Sequence, residues 1–132
     1  MNRKQTLGFL MTALMAAVIL AACGFSTVQI GMLENHLPGM WQASYATFTG
    51  TKSDSFRADK GQTLTLKYDV QVEKGTLDIQ LKNPDGELVW DGSIQRDESG
   101  TAQVALKQPG RYNLLIEGQD AGGSWNLNWD VQ

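Results

Sequence analysis

Two hydrophobic patterns divide this chain. From Leu7 to Leu20 the residues are uncharged and do not alternate. From Trp41 onward apolar and polar positions alternate with a period of two, as a strand does when one of its faces is buried. The cleanest case sets Leu64, Leu66, Tyr68, Val70 and Val72 on one side and Thr63, Thr65, Lys67, Asp69 and Gln71 on the other. Similar runs are Trp41 to Phe48, Leu77 to Leu81, Leu88 to Trp90, Ala102 to Leu106, Arg111 to Ile116 and Trp125 to Val131. Lys52 to Ala58 is a weaker one, with Phe56 and Ala58 inward. Turn signals separate the runs: Gly50, Asp59-Lys60-Gly61-Gln62, Glu73-Lys74-Gly75, Asn83-Pro84-Asp85-Gly86, Asp97-Glu98-Ser99-Gly100 and Pro109-Gly110. About eight short strands, with turns roughly every 8 to 12 residues, predict an all-β fold, a small antiparallel sandwich over residues 41–132. No stretch after Gly39 has the length and 3.6 period of a helix.

The apolar N-terminus changes the picture from fold to location. Asn2, Arg3, Lys4 and Gln5 form a short positive segment ahead of the Leu7–Leu20 run. That run is shorter than the roughly 20 apolar residues of a membrane-spanning helix. It fits the hydrophobic region of a signal peptide, and small residues follow it. The tetrapeptide Leu20-Ala21-Ala22-Cys23 resembles the bacterial lipobox. That resemblance implies a signal peptide over 1–22, a cut before Cys23, and a diacylglyceryl group on the Cys23 thiol. Small residues let an extended chain enter a peptidase groove, and a thiolate is a strong nucleophile suited to forming a thioether. Two or more acyl chains anchor stably. The expected location is the cell membrane, lipid-anchored, on the extracytoplasmic side. The competing readings are an ordinary signal peptide with Cys23 a bystander, and an uncleaved anchor.

Between anchor and sandwich, Gly24 to Gly39 shows no sustained period, and Pro38-Gly39 marks a boundary. Residues 23–40 read as the lipidated N-terminus and a tether, unusually apolar for a linker. His36, the single histidine, lacks cysteines or acidic partners at a metal-ligand spacing and reads as solvent-exposed. No metal site and no cofactor are expected.

Composition narrows the partners. Formal net charge is -3 for the full chain, and losing Arg3 and Lys4 with the leader takes it to -5. An acidic domain gains nothing from phosphate backbones, so nucleic acid is not an expected partner. With one cysteine, no internal disulfide can form, so the core alone must hold the domain.

Five features resemble small β-sandwich modules of secreted bacterial proteins. They are Lys60-Gly61-Gln62-Thr63-Leu64, the run Gly75 to Leu81, the turn Asn83-Pro84-Asp85-Gly86, Pro109-Gly110 leading to Tyr112, and Gly123-Ser124-Trp125. The pre-peptidase C-terminal domain and, more distantly, the Golgi-dynamics domain are the families they resemble. The resemblance implies a non-catalytic binding or accessory role. It does not carry over the protease that usually accompanies the first family.

Candidate chemistry is sparse. Asp85 with Glu87, Asp97 with Glu98, and Asp120 read as solvated turns, with a calcium-stabilised loop as the alternative. Trp125 and Trp129 are in phase with Leu127 and read as core. Trp90 shares a face with Leu88 while Val89 points the other way, so one apolar side must be exposed. Trp90 is therefore the candidate ligand-contact residue. Serines are plentiful, but the one histidine lies in the tether, which argues against a catalytic triad. The reading is a non-catalytic, membrane-anchored module that binds a cell-envelope component, such as a cell-wall glycan or an envelope protein. The alternatives are a structural or stress-related accessory lipoprotein without a ligand, and a cryptic hydrolase.

Overall fold

The computed structural model describes residues 27–132; the leader and Cys23 lie outside them. Seven strands follow one another: β1 (Val28–Ile30), β2 (Leu33–Leu37), β3 (Met40–Ala58), β4 (Thr63–Lys82), β5 (Leu88–Ile94), β6 (Glu98–Ala105) and β7 (Gly110–Val131). All pairings are antiparallel and belong to one sheet.

Three strands are far longer than the period-two runs suggested. β3, β4 and β7 have 19, 20 and 22 residues, and each crosses two layers. In the first layer the order is β2-β3-β7-β4-β6, with residues 40–45 of β3 beside 123–128 of β7. In the second layer the order is β1-β3-β7-β4-β5, with 50–58 of β3 beside 110–118 of β7. The ladder slips between Tyr45 and Gly50 in β3 and between Val72 and Thr76 in β4. These bulges fall at one level, so the sheet folds over along a common line into a sandwich.

The bend has a local cause. Gly75 has φ 68°, and a Cβ there would strike the carbonyl of Asp120. Gly123 has φ 141°, and a Cβ there would strike the carbonyl of Gln71. Glycine is what lets β4 and β7 press together where both turn. Glu73-Lys74-Gly75, expected to reverse the chain, therefore bends one strand between layers. The same holds for Gly50 and for the stretch between Ile116 and Trp125.

Asp59 to Gln62 and Asn83 to Gly86 fall between strands as expected, and Pro109-Gly110 leads into β7. Glu98, Ser99 and Gly100, expected in a turn, are instead paired with β4 as the start of β6, and the link from β5 is Gln95 to Asp97. Asn83 N donates to Glu87 O at 2.9 Å, and its side-chain oxygen accepts from the amides of Asp85 (3.0 Å) and Glu87 (2.9 Å). Gly86 takes the positive φ (81°) that the turn requires.

Eight expected strands become seven because three pairs merge and two short strands are added ahead of Trp41. β1 and β2 lie within the segment that reads from sequence as tether. All eight of their residues are exposed, so neither shows the half-buried period that betrays a strand. Pro38-Gly39 is a two-residue hairpin turn, with Leu37 opposite Met40.

The core lies between the layers. Trp41, Tyr45, Leu64, Leu66, Val70, Trp125 and Leu127 enter it from the first layer. Phe48, Leu77, Ile79, Leu81, Ile94, Tyr112, Leu114 and Ile116 enter from the second. Trp125 meets Trp41 edge-on at 5.6 Å within the first layer, and its contact with Phe48 at 5.8 Å ties the layers near the bend. The Tyr112 hydroxyl donates to Gln108 O at 2.8 Å and closes the loop before β7.

Candidate binding face and its flanking edges

The outward face of the first layer carries the residues that alternation turns away from the core. One line across all five strands reads Asn35, Gln42, Asn126, Asp69, Ser99. The next reads Leu33, Ser44, Ser124, Gln71. Hydrogen bonds hold these side chains in place. Asn126 Oδ1 accepts from Gln42 Nε2 (3.3 Å) and Asn128 Nδ2 (3.0 Å). Asp69 Oδ1 accepts from Ser99 Oγ (2.9 Å) and Gln71 Nε2 (3.4 Å).

On the β2, β3 and β7 part of this face lies a groove of about 430 Å³. Ser44 and Ser124 are small and sit beside each other, leaving a low floor between Leu33 on one side and Asn35, Gln42 and Asn126 on the other. Leu33 is 76% exposed at the rim. The bonds within the array use the carbonyl of Asn126, so its two N–H donors are what it presents outward. Amides and hydroxyls braced on a rigid sheet can recognise a neutral polyhydroxy ligand through paired donors and acceptors.

Beneath the groove Tyr45 is buried, and burial alone pushes its phenol well above the usual range. It stays a neutral packing group.

A polar cluster closes the sandwich on the β2 side. Glu34 and His36 project from the first layer, Lys52 and Asp54 from the second. Lys52 Nζ donates to Glu34 Oε2 at 2.7 Å, and Trp41 Nε1 donates to Glu34 Oε1 at 3.0 Å. His36 Nε2 lies 2.8 Å from Asp54 Oδ2, and Nδ1 lies 3.6 Å from Glu34 Oε1. The imidazole stacks on Trp41 at 4.8 Å with the rings 7° apart. Partial burial would raise the Glu34 carboxyl. The hydrogen bonds from Lys52 and Trp41, and the charges of Lys52 and His36, outweigh it and hold that carboxyl below its ordinary value.

Alternation had left His36 in a tether, remote from any partner. The hairpin at Pro38-Gly39 brings it onto the sandwich, where it lines a cleft with Asp54, Ser55, Phe56 and Trp129. The signal was present: a polar–apolar pentapeptide before Pro-Gly and a strand is a hairpin signature. Ser, His and Asp meet here, but both imidazole nitrogens face carboxylates. Neither is placed to take a proton from Ser55.

The opposite edge is closed by rings. Trp90 stands opposite Leu81, half-buried, and packs 6.1 Å from Tyr68 across the layers. A register shift between Leu81 and Lys82 sets Leu88 opposite Lys82 instead. Trp90 and Leu88 thus part ways, and Leu88 and Val89 are the exposed pair. Trp90 does not line the groove.

Of the acidic turns, Asp97 Oδ1 accepts from Val72 N at 2.8 Å and Asp85 Oδ2 from Gln108 Nε2 at 2.9 Å. Among the described residues, no group of three His, Cys, Asp or Glu side chains is placed to hold a metal ion. Cys23, the expected lipidation site, lies outside the described residues.

No protein-family model matches the sequence, and no curated protein matches it. Solved structures do match in shape. A carbohydrate-binding module of the CBM4 type superposes with a TM-score of 0.51 at 9% identity, covering 78% of each chain. A periplasmic inhibitor of g-type lysozyme from Aeromonas hydrophila superposes with a TM-score of 0.50 at 19% identity, covering 80% of this chain and 93% of its own. The pre-peptidase C-terminal domain of a Bacillus anthracis collagenase follows at 0.49, with 14% identity over 69% and 87%. At these identities the first two establish the architecture and nothing finer: the chain is an all-β antiparallel sandwich of the shape that such binding modules use.

Proposed function

We propose that this protein is a non-catalytic, lipid-anchored module that binds a carbohydrate chain of the cell envelope through the outward face of its first layer. The observation that carries the reading is the groove over Ser44 and Ser124. It is braced by the Gln42–Asn126–Asn128 amide network and open to solvent beside Leu33. A sugar offers what such a site takes: hydroxyls that both donate and accept. The carbohydrate-binding function of the CBM4-type neighbour and the lysozyme-inhibitor function of the other are in keeping with an extracytoplasmic binding role. In this reading the Leu20-Ala21-Ala22-Cys23 motif supplies the location, with Cys23 acylated on the outer side of the membrane.

The test is isothermal titration of the detergent-solubilised full protein with soluble β-1,4-linked glucose, galactose and N-acetylglucosamine oligosaccharides. Binding to at least one series, weakened tenfold or more in a Gln42→Ala/Asn126→Ala double variant, supports the proposal. Equal affinity in the double variant moves the site elsewhere. No heat with any series excludes this ligand class.

A further inference from the structure

Apolar exposure is unevenly placed on this sandwich. Among the described residues, six large apolar side chains are exposed: Val28, Ile30, Leu33, Leu37, Leu88 and Val89. The first four lie on β1 and β2, the two edge strands nearest the N-terminus, at 44%, 58%, 76% and 54% exposure. Val28 and Ile30 stand opposite Thr49 and Thr47 on the second layer, where β3 bends. Leu33 stands opposite Ser44 on the first layer, just past the same bend. Gly31, with φ 61°, carries the chain from one strand to the other. The result is an apolar margin on the β1–β2 edge; the other exposed large apolar side chains among the described residues are Leu88 and Val89 on β5. Single exposed apolar residues need no explanation, but a run of four along one edge does.

We infer that this β1–β2 margin rests on the lipid surface to which the protein is anchored. The inference depends on the proposed acylation of Cys23, and chain length ties the two together. Four residues lie between Cys23 and Val28, and the five steps of fully extended chain span at most about 18 Å. Acyl chains inserted in a bilayer hold Cys23 at the interface. The start of β1 therefore stays within about 18 Å of the interface, whatever path the link takes. Of the carboxylates of this edge, Glu34 is paired across the layers with Lys52, and Asp54 lies 2.8 Å from His36 Nε2. The contact also fixes an orientation. With β1 and β2 against the membrane, the first layer stands upright, and its polar face opens sideways, toward material lying close above the bilayer.

The test uses site-specific labelling of the acylated full chain in phosphatidylcholine/phosphatidylglycerol vesicles. Cys23 is the single cysteine. As a thioether it does not react with thiol reagents, so an introduced cysteine is labelled alone. Leu33→Cys and, as a control on the far edge strand, Thr101→Cys each receive a bimane fluorophore. Quenching by a lipid carrying a nitroxide high on its acyl chain is then compared. The expected result is quenching at position 33 several-fold stronger than at 101. Equal quenching at both, with Cys23 blocked, overturns the orientation and leaves the anchor intact. A label at 33 shielded from aqueous iodide yet untouched by lipid nitroxide assigns the margin to a second protein surface and also overturns it. Labelling of Cys23 in the unsubstituted chain defeats the anchor itself, and the inference falls with it.

Discussion

The two open sides of the sandwich are closed by opposite chemistry. On the β2 side the layers are joined by charge: Glu34 with Lys52 and His36 with Asp54, laid over the indole of Trp41. On the β5 side they are joined by rings, Trp90 against Tyr68. An aromatic closure works by excluding water and carries no ion pair for salt to screen. An ionic closure pairs groups still part-exposed, so its contribution is modest and depends on pH and salt. The comparison shows why the protein can place two edge strands with four exposed apolar side chains between them beside charged residues. The Glu34 and Lys52 charges compensate each other, the Asp54 carboxylate is within hydrogen-bond distance of His36, and the apolar groups lie outside them.

The contrast can be broken at graded cost. The largest effect is expected from Trp41→Ala. The indole is fully buried and anchors Glu34, His36 and Trp125 at once. Its loss should cost about 3–5 kcal/mol in denaturant unfolding. A loss under about 1 kcal/mol would mean that the ionic edge does not depend on its ring. Trp90→Ala removes the half-buried ring of the other edge, at about 2 kcal/mol, and should leave oligosaccharide affinity unchanged. A fall in affinity at constant stability would instead make Trp90 a contact residue.

Lys52→Met is expected to cost about 1 kcal/mol or less at neutral pH. Its pH dependence is more telling. Because the Glu34 carboxyl is held below its ordinary value, its contribution is present above about pH 4.5 and lost as pH falls through the lowered folded value. Stability between about pH 5 and pH 3 should therefore fall less steeply in the variant than in the parent. Parallel curves would show that the pair is not coupled to folding. Smallest in stability is the Gln42→Ala/Asn126→Ala double variant. It alters outward-facing side chains, and its unfolding should stay within about 0.5 kcal/mol of the parent for each substitution. That small change is what makes its binding result interpretable.

The sheet was legible where one face is buried and the other wet. Leu64 to Val72 and Leu77 to Leu81 follow the pleat residue by residue, and Asn83 to Gly86 is the turn its residues demand. What alternation could not show was continuity. A bulge shifts the phase of a strand, so β3, β4 and β7 each read as two. Alternation was silent again at β1 and β2, whose residues are exposed on both faces. That silence hid the ionic edge, since Glu34 and His36 meet Lys52 and Asp54 only if β2 is a strand. The groove was hidden for another reason. Asn35, Gln42, Asn126 and Ser124 lie far apart in the chain and read singly as ordinary outward positions. They converge only through the registers of β2, β3 and β7.

The proposed orientation on the membrane, the proposed extracytoplasmic ligand and the proposed role of the exposed margin all rest on the proposed acylation of Cys23. Intact mass spectrometry of the protein extracted from membranes tests it most directly. The account predicts a chain that begins at Cys23 and carries the added mass of a diacylglyceryl group. A mature chain that begins at any other residue, or an unmodified Cys23, would contradict it.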